Sequence, residues 1–297
     1  MKQIDVQHQT HYDYSQEVVL AQHLAYLKPL ESPWQTVLSH SLDIWPPCED
    51  QTERIDAFGN ARTFFGLTTP HRELVVNSMS RVTKRDRYSD FDPSQTPAWN
   101  QVCAQMAYGL EQPFMAASEF VWPSPFVPWL PELKDYALPS FPKGRPLAEA
   151  AVELCERIYN DFSYIAGATE IHTPLAQAFA NRHGVCQDFS HIMIGCLRSV
   201  GLAARYVSGY LLTSPPQGQP NLRGADASHA WVGVYCPQAP GQWLELDPTN
   251  QTMADASHVI VAQGRDFGDV SPLRGVIQGG GQHSLSIAVT AEWSDVL

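Results

Sequence analysis

The chain has 297 residues, with 19 basic against 31 acidic side chains, a formal net charge of -12, 44% hydrophobic and 17% charged residues. That balance suits a globular fold with a sizeable core. It argues against nucleic acid as a partner, because no basic cluster interrupts the acidic surplus, and no run of about 18 apolar residues predicts a membrane-spanning helix. The opening MKQIDVQHQTHYDYS lacks the apolar stretch of a secretory signal, and the six cysteines (Cys48, Cys103, Cys155, Cys186, Cys196, Cys236) show no CxxC spacing. A cytoplasmic protein with reduced thiols is expected.

Residues 1–92 read as strands. IDVQHQTHYDYS alternates, with Ile4, Val6 and His8 on one side, and HSLDIWP, ARTFFGL and ELVVNSMSRVT are further short runs. Pro46-Pro47, Phe58-Gly59-Asn60 and Thr69-Pro70 punctuate them, which predicts a small antiparallel β domain or sandwich. Residues 93–145 connect. WNQVCAQMAYGL is helical in pattern, and the proline- and aromatic-rich VWPSPFVPWLPELKDYALPSFPKG is expected to pack on another surface, since a free linker would not carry so many rings. Residues 146–297 alternate in texture. A helix is predicted over 146–164, a second after Pro174, and a third from Cys186 with Phe189, Met193, Leu197 and Val200 on one face and Gly201 as its stop. Strands follow at 203–211, 229–235 and 242–249, with PPQGQPN as an exposed loop, and a last strand covers LSIAVTAEW. Helices followed by an antiparallel sheet predict an α+β core.

The chemistry concentrates in HGVCQDFSH. Cys186 opens its helix, where free N–H groups and the helix dipole favour a thiolate and could hold an oxyanion. Taken alone, such a cysteine is more often a packed small residue. His229 and Asp247 change that reading. If CPQAPGQ closes a hairpin with Tyr235 opposite Trp243, then Trp231 falls opposite Asp247. His229 then sits one diagonal step away, about 7–8 Å between backbones, within reach of the carboxylate. Asp247 can orient the ring while His229 takes a proton from Cys186. Asp247 also starts Asp-Pro-Thr-Asn, good turn chemistry in its own right.

The ordered segments GVCQDFSH, RYVSGYL, SHAWVGVY and WLELDPTN resemble the core of the transglutaminase-like superfamily. HQTHYDYS and IDAFGNARTFF resemble the N-terminal β domain of its bacterial members, and GRDFGDVSPLRGVIQGGGQHSLSIAV resembles their C-terminal end. The resemblance implies an α+β protein, with an N-terminal antiparallel β domain before a papain-like core. It implies Cys186 as nucleophile, His229 as base and Asp247 as orienting carboxylate, acting on a peptide or amide-bearing substrate without a cofactor. The DxDxDG spacing of a calcium loop is not found. Hydrolysis is therefore the preferred expectation, with glutamine transamidation or a non-catalytic peptide-binding module as alternatives.

Three further residues are candidates for substrate binding: Asp188, two positions past Cys186 and also suited to capping; Trp231, more simply a packing residue; and Tyr210, after Gly209 on the first strand. A metal site from His183, Cys186, His191 and Cys196 is weighed and set aside, because HxxC followed by HxxxxC is not a common zinc spacing. No second oxyanion donor can be assigned, since neither Trp122 nor Trp129 aligns with the tryptophan that serves in the animal enzymes. Oligomeric state is not encoded in any recognisable segment.

Overall fold

The computed structural model describes residues 2–107, 115–212 and 228–294. The expected loop PPQGQPN and the end of the first helical segment, beyond residue 107, lie outside them. Strand β1 (Lys2–Ala25) runs through the middle of the N-terminal sheet and alternates as predicted, with Ile4, Val6, His8 and Thr10 all buried. The sheet continues with β2 (Gln35–Trp45), β3 (Asp50–Ile55), β4 (Ala61–Leu67) and β5 (His71–Lys84). Its order is β2-β5-β1-β4-β3, all antiparallel. The β1–β5 register breaks between Asp13 and Val18. Before the break β1 pairs with β5, and beyond it mainly with β4, so the sheet curls.

Helices α1 (Trp99–Met106) and α2 (Pro131–Ala137) occupy the connecting segment. Phe120, Tyr136 and Phe141 pack on the core, as expected of the rings here, whereas Trp122 and Trp129 are exposed. Val127 and Leu133 are buried there with Phe120 and Leu130 against them. Helix α3 (Leu147–Asp161) buries Leu147, Ala151, Leu154, Cys155 and Ile158 at helical spacing. The short β6 (Ser163–Tyr164), α4 (Leu175–Asn181), begun by Pro174, and β7 (His183–Gly184) lead into α5 (Cys186–Ser199). Buried Arg198 near the end of α5 donates to the carbonyls of Phe120, Ala204 and Arg265 and to Ser124 Oγ, which ties the connecting segment to the core.

The core sheet holds β8 (Ala204–Leu211), β9 (His229–Tyr235), β10 (Trp243–Asp247), β11 (Thr252–Met253) and β12 (His258–Gly264), in the order β11-β10-β9-β8-β12. Strand β12 was not anticipated. After the four-residue helix α6 (Phe267–Val270) come β13 (Leu273–Gly279) and β14 (His283–Ser294). These last two strands correct the expected division at 146–297. They leave the core and pair with β1, β14 along its first half and β13 along its second. One hydrophobic core joins Ile4, Val6, Val82, Val289 and Ala291 of the N-terminal sheet to α3, α5 and the core strands. A second, with Val18, Phe65, Leu74 and Val76, belongs to the curled sheet alone. Among the described residues no helix is long and apolar enough to cross a membrane.

Candidate active site

Helix α5 begins at Cys186, with Val185 extended before it. The valine side chain offers no cap. Asp188 supplies one instead, since its Oδ2 accepts the Val185 N–H at 2.8 Å and the Thr169 hydroxyl at 2.6 Å. That carboxylate lies so close to Gly184 that a Cβ there would stand 2.5 Å from Oδ2, so glycine is required before the helix. Burial raises the Asp188 pKa, while Thr169 and the Val185 N–H oppose the rise. The next side chain, Gln187, donates to the carbonyl of Ile171, which straps the 165–173 loop beside the helix start. Cys186 itself is half-buried.

The hairpin register is as predicted, with Trp243 opposite Tyr235 and Glu245 opposite Gly233. The diagonal step therefore brings His229 Nε2 to 2.9 Å from Asp247 Oδ2, with both side chains buried. Among the described residues the other ring nitrogen, Nδ1, has no well-formed hydrogen bond. Cys186 lies close enough to act on the ring by charge and side-chain contact. Burial pushes the His229 pKa down, but Asp247 and then Cys186 outweigh it and raise the imidazole to about 10. Burial likewise works against the Asp247 carboxylate. The charge and hydrogen bond of His229, with help from His258, hold it well below the usual carboxylate range.

Asp247 has partners that sequence reasoning missed. Its Oδ2 also accepts from Asn250 Nδ2 at 2.7 Å and contacts His258 Nε2 at 3.3 Å, while Oδ1 accepts the Thr249 N–H at 2.9 Å. The turn chemistry of Asp-Pro-Thr-Asn was the signal for Thr249 and Asn250. Asp247 makes that turn and holds His229 at once. Nothing in the spacing pointed to His258, because it enters from a strand that was not read as one. Tyr206 was also missed. It packs on His191 at 5.0 Å between rings, and its phenol pKa is driven up by burial and by the charge of Cys186.

Of the three substrate-binding candidates, none presents an open surface. Trp231 is fully buried, lies 6.2 Å from the His229 ring in a stacked arrangement and donates to Glu245 Oε2 at 3.1 Å. A Cβ at Gly209 would meet its indole at 2.5 Å and the Val259 carbonyl at 2.0 Å, so that glycine lets the indole lie across β8. Glu245 is held in turn by Arg87 at 2.8 Å and Arg205 at 3.2 Å. Burial disfavours its charge, yet the two guanidinium groups bring its pKa down to about 2. Tyr210 is 2% exposed and hydrogen-bonds His8 at 2.9 Å. It follows Gly209, the partner of His229, so strand alternation sends it to the opposite face, and the expectation that it lines the cleft is corrected. Asp188 is 4% exposed and engaged in capping.

The residues weighed for a metal do not converge. Cys196 is buried in the hydrophobic core, and His191 Nε2 accepts the Phe267 N–H while burial pushes its pKa down to about 3. Among the described residues no group of three or more potential ligands is placed to hold an ion.

A helix that opens on a cysteine, beside an antiparallel sheet presenting a histidine-carboxylate pair, defines an α+β protein of the papain-like class. Residues 4–83 match the bacterial transglutaminase-like N-terminal region, and residues 139–248 match the transglutaminase-like superfamily. An uncharacterized protein of Mycobacterium tuberculosis is 40% identical over 288 residues, covering 94% of this chain and 89% of its own length. One from Mycobacterium leprae is 29% identical over 291 residues, covering 97% and 98%. A solved structure from Cytophaga hutchinsonii, described as a candidate cysteine protease, shares the fold with a TM-score of 0.75 at 20% identity, over 99% of this chain and 91% of that one. The chain belongs to the transglutaminase-like superfamily, in the bacterial form that carries this N-terminal region.

Proposed function

We propose that the protein is a cysteine-dependent hydrolase of amide or peptide bonds that works through an acyl-thioenzyme. The observation that carries this is His229, buried between the Asp247 carboxylate and the half-buried Cys186 at a helix start. In this reading Cys186 Sγ attacks the substrate carbonyl carbon, and the tetrahedral oxyanion forms near the free N–H groups of the first turn of α5. His229 passes its proton to the departing nitrogen, and the amine leaves. Water, deprotonated by His229, then attacks the thioester, and the acid departs as the thiolate re-forms. Asp247 holds the imidazole in one orientation and stabilises its charged form throughout.

Water needs no acceptor site of its own, which favours hydrolysis over transfer to an amine. The test is a panel of α-peptide, glutamine side-chain and small acyl amides, with and without added primary amine, followed by mass spectrometry of products. Carboxylic acid products that vanish in Cys186→Ala, by about 10³-fold or more, are expected. Predominant amine adducts would overturn hydrolysis in favour of transamidation, and undiminished turnover in Cys186→Ala would overturn the thiol mechanism.

A further inference from the structure

The carboxylate that orients His229 is shared with a second buried histidine. His258, 1% exposed, enters from the start of β12 and places Nε2 3.3 Å from Asp247 Oδ2. Its Nδ1 lies 3.1 Å from Ser257 Oγ and 3.5 Å from Asp255 Oδ1, and Ser257 Oγ donates to the same Asp255 oxygen at 2.6 Å. Asp255 is more than half exposed in its side chain. A continuous polar path therefore runs from the buried Asp247 through His258 to a carboxylate in solvent. The groups that face His258 are Asp247 from β10, Asp255 and Ser257 from the turn before β12, and His229 from β9 at 6.5 Å between rings. The indole of Trp231 stands edge-on at 5.2 Å. Two of these are carboxylates and one is the cationic partner of Cys186.

We propose, resting on the catalytic reading of Cys186, His229 and Asp247, that His258 is a positioning residue for Asp247. Held between two carboxylates, it also serves as a titratable counter-charge that sets the pH dependence of the Cys186–His229 pair. Two physical consequences support it. A protonated His258 on the same Asp247 oxygen shares the carboxylate's field with His229, so neither imidazolium monopolises it. With Nε2 donating to Oδ2, His258 also fixes the carboxylate whose other oxygen takes the Thr249 N–H, and a fixed carboxylate fixes the His229 ring. Burial disfavours a charged His258, and the hydrogen bonds to Asp247 and Asp255 outweigh it, so its pKa is raised.

The probe is iodoacetamide, which needs no knowledge of the substrate. The rate of Cys186 alkylation is followed from pH 4 to 10 by peptide mass spectrometry in wild type, His258→Ala, His258→Gln, Asp255→Asn and His229→Ala, with thermal unfolding of each. Glutamine can still donate to Asp247 but carries no charge. His258→Gln is expected to keep the plateau rate and move the rising limb upward by up to about one pH unit. His258→Ala should lose plateau rate as well, and Asp255→Asn should shift the limb the same way by less. The proposal is overturned if the His258→Gln and Asp255→Asn profiles superimpose on wild type, or if His258→Ala changes only the folded fraction. The parent reading fails separately, if His229→Ala leaves Cys186 alkylation unchanged.

Discussion

The curled N-terminal sheet and the candidate active site both bury histidines, and they shift the imidazole pKa values in opposite directions. In the sheet, His8 is enclosed between Tyr210 and Thr10, and His23 lies against Phe65 with neither ring nitrogen hydrogen-bonded. Among the described residues no carboxylate bonds to either ring, and burial pushes each pKa down to about 4. In the site, His229 and His258 are also buried, yet both pKa values rise because both rings reach Asp247. Burial alone makes a neutral imidazole. One buried carboxylate, itself satisfied by Thr249 and Asn250, reverses the sign.

The sharpest way to break this contrast is to remove the carboxylate. Asp247→Asn should lower the Cys186 alkylation rate at neutral pH, and any amide turnover, on the order of 10³-fold. It should also erase the alkaline decline of stability. The sign follows from linkage. His229 is raised above the ordinary imidazole value, so its contribution is full below about pH 6.5 and is lost as pH rises through about 10. Urea unfolding as a function of pH in wild type and Asp247→Asn reads it.

The same rule applies to the cations beneath Trp231. Glu245→Gln leaves Arg87 and Arg205 buried without their carboxylate, and unfolding free energy should fall by about 3–5 kcal/mol, read by urea denaturation. A loss below about 1 kcal/mol, the worth of an exposed pair, would mean that water compensates these guanidinium groups.

His23→Phe tests the other side of the comparison. His8 and His23 have folded pKa values below their unfolded ones, so stability is present above about pH 6.5 and is lost as pH falls toward 4. The phenylalanine variant removes two unpaired ring nitrogens, which should stabilise at neutral pH by about 1 kcal/mol and flatten the acid limb. Steeper acid unfolding in the variant would contradict the assignment of a neutral His23. Tyr210→Phe should leave the site untouched. Losing one hydrogen bond to His8 should cost about 1 kcal/mol and leave Cys186 alkylation unchanged. A changed alkylation rate would return Tyr210 to the cleft.

Much of the site was legible because it rests on local rules. Cys186 at a helix start, and the Tyr235–Trp243 register that brings His229 diagonally to Asp247, follow from periodicity and strand alternation. The alternation of Ile4, Val6 and His8 likewise predicted the buried face of β1. What escaped were relations between distant segments. LSIAVTAEW reads as a strand by composition, but nothing local says that it pairs with Gln3–Tyr14 and not with the core. Tyr210 follows Gly209 in a way that suggested a cleft residue, yet its face of β8 is covered by His8, 202 residues earlier.

By itself, then, the amino-acid sequence determined most of the element types, though not β12, together with the helix-start cysteine and the hairpin that pairs His229 with Asp247. Each depends on backbone periodicity, turn chemistry or the fixed two-residue repeat of a strand. Only the tertiary structure decided that the last two strands complete the first sheet, that Trp231 and Tyr210 are enclosed, and that His258 shares Asp247. Those outcomes depend on which buried groups satisfy one another across long chain separations. Burial and pairing energies in the whole fold select them, and no short window of residues contains them.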